Sequence, residues 1–253
     1  MKSTLNTLDQ ESEFDCFVIS LEDESKRLAE FRARNKPTEI VINHFKAVDG
    51  SKLENIGDMR SILGKGAHNW TRGSVGCALS HLALWKECVS RKRKFVIFED
   101  DAYLRYDFSS QLQGLFERYK DWDLILLGYN TNTIIELGIS PGINFAGQFS
   151  VPFPNSVHLN EFVRVTDPVA LLRLKIAFGL CGYVVTPKGA KLLIEKCLPL
   201  DTRAIYIPPE SRSIYANGID VMMVSVYSDM RAYLSCPPLV MTPNDPKTSQ
   251  IRM

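Results

Sequence analysis

The stretch FVIFEDD, residues 95–101, runs four apolar residues into three consecutive carboxylates, Glu99, Asp100 and Asp101. Like charges this close repel, so a cation, a hydrogen-bond network or solvent must compensate them. In open α/β sheets ligands bind beyond the carboxyl ends of the strands. A hard divalent cation placed there bridges carboxylate and phosphate oxygens. It offsets both the acids' repulsion and the charge on a departing phosphate. A solvated turn that merely begins with acids is the alternative, and the three residues alone leave both open. Other chemistries fit less well. Aspartyl phosphatases begin D-x-D-x-T where this chain has E-D-D-A-Y, and adjacent acids on one strand end do not straddle a sugar as a glycosidase pair does. The chain has no G-x-x-x-x-G-K-[ST], no strand-following G-x-G-x-x-G and no G-x-S-x-G elbow.

The elements that must position these acids follow from periodicity. FDCFVIS (14–20), TEIVINHFKAVDG (38–50), FVIFE (95–99) and DLILLG (123–128) read as strands. LEDESKRLAEFRARN (21–35), with Leu28 and Phe31 on one face, reads as a helix, as does part of LRYDFSSQLQGLFERYK (104–120). The clearest helix is GSVGCALSHLALWKECVSR (73–91), with Ala78, Leu82, Trp85 and Val89 on one stripe and Ser74 as the expected N-cap. Residues 51–72, with Gly57, Gly64 and Gly66, read as a loop. Residues 129–170 lack periodicity and suggest a functional loop or small subdomain. FGLCGYVVTP (178–187) is strand-like, and Pro187 opens a helix through KGAKLLIEKCL. Residues 201–218 look irregular, IDVMMVSVYSD (219–229) is helix or strand, AYLSCPPLV (232–240) closes the core, and TPNDPKTSQIRM is a polar tail. The order predicts an α/β fold with a mainly parallel central sheet flanked by helices.

Thirty basic residues against 29 acidic argue against a nucleic-acid partner. No run approaches the roughly 18 apolar residues of a membrane span, and MKSTLNTLDQESEF lacks the apolar core of a signal peptide. The expectation is a cytoplasmic protein for which peripheral membrane association stays open. Six scattered cysteines, never C-x-x-C, read as free thiols rather than a disulfide framework.

Several segments together resemble glycosyltransferase family 25, the family of lipooligosaccharide galactosyltransferases and the collagen galactosyltransferase domain. They are ISLEDESKR (19–27), FKAVDG (45–50), TRGSVGCALSHLALWKECV (71–89), FVIFEDDAYL (95–104), DWDLILLG (121–128), FGLCGYVVTPKGAKLL (178–193), IDVMM (219–223) and PPLV (237–240). The resemblance implies a GT-A-like Rossmann-type fold, a UDP-sugar donor carrying galactose or glucose, Mn2+ (or Mg2+), and inversion at the anomeric carbon. It implies a single domain over 14–240 between polar tails 1–13 and 241–253, with a nucleotide-sugar half of about 14–128 and an acceptor half of about 129–240. The acceptor would be a glycan, a lipid-linked saccharide such as a lipopolysaccharide core, or a hydroxylated protein. A non-catalytic nucleotide-sugar-binding module and a metal-dependent phosphoryl or nucleotidyl transferase are the alternatives.

On this resemblance Asp101 and Glu99 are metal ligands, and Asp100 supports the donor. Ser20 and Arg27, just past the first strand, are donor-binding candidates, Arg27 by pairing with the diphosphate or else as a solvated helix charge. Asp49 would bind ribose or base, or else serve its Asp-Gly turn. Ser80 and His81, early in the long helix, would reach nucleotide or sugar or brace the site, with Arg72 assisting. Gly179 and Gly182 in the F-G-x-x-G-Y element would admit a sugar to the backbone, or else mark a bulge. Asp220 would be the general base that takes the acceptor hydroxyl's proton, or an N-cap; Glu210 and Asp229 are weaker candidates for the base.

Overall fold

The computed structural model describes residues 13–22, 25–53 and 62–245. Residues 1–12, Gly57 in the predicted loop and the tail beyond Asp245 lie outside them. In chain order the elements are β1 (Phe14–Ser20), α1 (Lys26–Asn35), β2 (Asn43–Lys46), α2 (Arg72–Arg91), β3 (Lys94–Glu99), β4 (Tyr103–Leu104), α3 (Phe108–Arg118) and β5 (Leu124–Gly128). There follow β6 (Ile134–Ser140), β7 (Ile143–Gln148), α4 (Ser156–Phe162), β8 (Ala170–Ile176), β9 (Gly182–Val185), α5 (Pro187–Cys197), β10 (Ala204–Ile207), β11 (Arg212–Tyr215), α6 (Ile219–Val224), β12 (Ala232–Cys236) and β13 (Val240–Met241).

Among the described residues, nine strands form one mixed sheet in the order β2-β1-β3-β9-β5-β12-β8-β6-β7. Strands β2, β1 and β3 run parallel, as do β5 and β12. β9 lies antiparallel between β3 and β5, and β8, β6 and β7 continue antiparallel beyond β12. The parallel expectation therefore describes the β2-β1-β3 and β5-β12 portions, while antiparallel β9 separates them. Alternation along the strands builds two cores. Phe17, Ile19, Phe95, Ile97, Leu124, Leu126, Tyr183 and Val185 face α2, α5 and α6. Cys16, Val18, Val96, Phe98, Ile125, Leu127 and Val184 face α1 and α3.

The sequence reading needs three local corrections. Thr71, not Ser74, caps α2: its hydroxyl accepts from Ser74 N at 3.0 Å. Ser74 sits one turn in, because the hydroxyl that reaches the third amide of a helix must lie before its first residue. Within residues 129–170, read as a functional loop or small subdomain, β6 and β7 extend the sheet as a hairpin whose outer strand is exposed, so it shows no buried-face alternation, and α4 follows. Residues 201–218 hold a second hairpin, β10–β11. IDVMMV takes the helical option. All six cysteines are free. No helix among the described residues is long and apolar enough to cross a membrane.

Candidate active site

The carboxyl ends of β1 and β3, the start of α2 and the start of α6 surround a cleft of about 760 Å³. Parallel pairing places Ile19 opposite Glu99, so the residues that follow them, Ser20 at the end of β1 and Asp100 just past β3, meet at the rim. Ser20 Oγ donates to Asp100 Oδ2 at 2.7 Å. Arg27, in the first turn of α1, donates from Nε to Asp100 Oδ1 at 2.7 Å and pairs through Nη2 with the same oxygen. Arg34 reaches the Asp100 carbonyl at 3.0 Å. One of the three adjacent charges is thus answered inside the protein, and Ser20 and Arg27 serve Asp100 as clamps while also lining the cleft.

Asp101 is different. Thr242 Oγ1 donates to its Oδ2 at 2.9 Å, whereas its Oδ1 is shut off from solvent and has no hydrogen-bond partner among the described residues. Burial first, and the neighbouring Glu99 charge second, push its carboxyl up to about 6. A carboxylate oxygen left unpaired beside a second carboxylate suits a cation, and oxygen ligands suit a hard one. Asp101 and Glu99 therefore fit the divalent ion that the sequence implies.

Asp220 lies on α6, whose N-cap is Gly218, so it is not the cap. Its Oδ2 accepts from Gly179 N at 3.1 Å, and burial raises its pKa. Gly179 holds φ +86°, and a Cβ there would lie 2.2 Å from Asn130 Oδ1. Only glycine turns the chain here and presents its amide to Asp220.

Helix α2 presses close on the turn after β2: a Cβ on Gly76 would lie 2.5 Å from the Val48 carbonyl. Ser80 Oγ donates to Gly76 O and accepts from Val48 N, both at 2.8 Å, pinning that turn. Asp49 takes the turn role: its Oδ1 accepts from Ser51 N at 3.0 Å and its Oδ2 lies 3.1 Å from Lys52 Nζ. Hydrogen bonding from Ser51, then Lys52, lowers its pKa. Arg72 Nη1 donates to the Ser51 and Leu53 carbonyls at 3.2 Å. Asp49, Ser80 and Arg72 still line the cleft. His81 is buried, with Nδ1 2.8 Å from Tyr183 Oη and Nε2 3.6 Å from Glu99 Oε1.

Gly182 does not line the cleft; it sits under the Val240 side chain, which a Cβ would meet at 2.8 Å. Glu210 pairs with Arg212, and Asp229 with Lys196, outside the cleft. Sequence reasoning missed Thr242, Asn244 and Asp245, which line it. TPND had read as tail, and the polar run after PPLV was the available signal. Asn130, in the unreadable 129–170 stretch, was missed as well.

The glycosyltransferase family 25 (LPS biosynthesis protein) model matches residues 14–204. The chain belongs to glycosyltransferase family 25. Among family 25 relatives, the mouse (Mus musculus) protein named inactive glycosyltransferase 25 family member 3 is 33% identical over 151 residues, covering 53% of this chain and 25% of that protein. Human (Homo sapiens) procollagen galactosyltransferase 2 is 24% identical over 206 residues, 74% of this chain and 29% of that protein. Procollagen galactosyltransferase 1 of Danio rerio is 26% identical over 206 residues, 74% of this chain and 30% of that protein. The chain thus aligns with less than a third of each relative's length. A solved structure, mannose-1-phosphate geranyltransferase from Thermus thermophilus, aligns at 10% identity and TM-score 0.36 over 91% of this chain and 74% of that one.

Proposed function

We propose that this family 25 protein is a metal-dependent, inverting hexosyltransferase that moves galactose or glucose from a UDP-sugar to a hydroxyl of a glycan, a lipopolysaccharide core or a hydroxylated protein. The observation that carries this reading is the Oδ1 of Asp101, buried and without a partner among the described residues, in one cleft with Glu99 and Asp220. A divalent cation, which Asp101 and Glu99 would hold, would supply compensation for the charge of the leaving diphosphate. The clamp from Ser20 and Arg27 keeps Asp100 from adding a third free charge at that point. Across the cleft, Asp220 accepts the proton of the attacking hydroxyl as the new glycosidic bond forms and the bond to UDP breaks. Its raised pKa makes its carboxylate a stronger base than a solvated aspartate. Backbone donation from Gly179 holds the carboxylate in place.

A second reading, a binding module without catalysis, is favoured by the relative named inactive. Release of UDP from a panel of UDP-sugars, with and without manganese, separates the two. Turnover of one donor only with manganese supports the transferase. Donor-dependent thermal stabilisation without UDP release in the presence of acceptor glycans supports the binding module.

A further inference from the structure

Cys77 Sγ, a His81 ring nitrogen and a Glu99 carboxylate oxygen lie within 4.8 Å of one another at the edge of the cleft. Taken alone, a thiol, an imidazole and a carboxylate resemble a zinc ligand set. The hydrogen bonds behind His81 argue otherwise. Trp85 Nε1, which can only donate, lies 2.8 Å from Tyr183 Oη. Tyr183 Oη lies 2.8 Å from His81 Nδ1, and all three side chains are fully buried. With the phenol oxygen accepting from Trp85, the phenol proton finds its acceptor in His81 Nδ1. The opposite assignment, with the proton on Nδ1, strands the phenol proton in a dry core, which is unfavourable. The ring hydrogen therefore sits on Nε2, the atom facing Glu99 at 3.6 Å, and Nε2 has no hydrogen-bond partner among the described residues.

Building on the donor-site reading above, we infer that Trp85, Tyr183 and His81 form a directional hydrogen-bond relay that holds His81 Nε2–H as a fixed donor to Glu99, making His81 a positioning residue for the metal-binding carboxylates rather than a metal ligand. The side chain of Glu99 is 27% exposed, on the open side of the contact. At 3.6 Å the contact is longer than a hydrogen bond; the relay requires it to shorten on loading, as catalytic hydrogen bonds commonly do with ligand bound. A donor on one oxygen of Glu99 would leave the other available to an ion held with Asp101. Partners of this kind are worth about 10–100-fold in metal affinity when removed.

The first test needs neither metal nor activity. Two-bond proton–nitrogen correlation spectra of the metal-free protein report the tautomer of His81. The other three histidines, His44, His68 and His158, are assigned through their own Gln variants. The expected pattern is protonated Nε2 and bare Nδ1; protonated Nδ1 overturns the relay. Tyr183→Phe should erase that single-tautomer signature and weaken Mn2+ binding, read by electron paramagnetic resonance with UDP present, by about tenfold. His81→Gln, which keeps a donor, should bind Mn2+ more tightly than His81→Leu; equal affinities for the two overturn the positioning role. Titration with Zn2+ alone supplies the contrary outcome: stoichiometric binding that Cys77→Ser abolishes would make the trio a metal site. If wild type binds no Mn2+ with UDP, the donor-site reading fails, while the tautomer measurement still decides the relay.

Discussion

Asp101→Asn should make the metal-free protein more stable at neutral pH while removing its metal binding. The structure sets the size of the effect. The Asp101 carboxyl is raised from 3.8 to about 6 by burial and by Glu99. The folded state therefore binds this proton more tightly than the unfolded chain does. Stability from this group is full below the unfolded value, declines as pH rises from about 4 to about 6, and is lost above that. About two pKa units correspond to about 3 kcal/mol, a ceiling because Asp101 is partly exposed. Asparagine removes the charge and keeps an oxygen for the Thr242 hydroxyl. If half the ceiling survives, the melting temperature at pH 7.5 rises by about 3–6 °C for a chain of this size. Calorimetry in chelator should show that gain shrinking at pH 5, where wild type is protonated. Saturating Mn2+ with UDP should reverse the order, since only wild type gains binding energy. An unchanged or lower melting temperature for the variant in chelator at pH 7.5 would refute the buried-charge argument.

Asp220→Asn should lower kcat by about 10²–10⁴-fold, the usual worth of a general base, with UDP-sugar affinity by calorimetry unchanged. In wild type, kcat should fall at acid pH as Asp220 is protonated, with a midpoint above that of an ordinary aspartate; a flat profile in the variant checks the assignment. Arg27→Met leaves Asp100 nearly buried without its cation, so urea unfolding should show a loss of about 3 kcal/mol. Gly179→Ala forces a left-handed backbone and a clash with Asn130; it should lose at least about 1–2 kcal/mol and reduce kcat, and an unperturbed kcat would detach the Gly179 amide from Asp220's role.

What was legible in the sequence is what periodicity encodes. The apolar runs of β1, β3 and β5 and the stripe of α2 announced themselves because each has a buried face. The acids after β3 were legible for the same reason: a strand end fixes where they lie. Partners were not legible, because they come from register and from distant chain. Nothing in ISLEDESKR shows that Arg27 answers Asp100, 73 residues on, and nothing in TPND that Thr242 answers Asp101, 141 residues back. The exposed β7 strand was invisible because exposure removes the pattern that identifies strands.

Strand order also bears on how the chain reaches this state. β12 lies between β5 and β8, joining the five strands that carry the acids to the three of the antiparallel edge. It is made after every other strand of that sheet, so during synthesis the sheet waits as two unjoined pieces, each with an open edge. Such pairing at long sequence separation is slow, and open edges invite association with other chains. Lesions in β12 should therefore show first as lost soluble yield, before any effect on a cleft that β12 does not line.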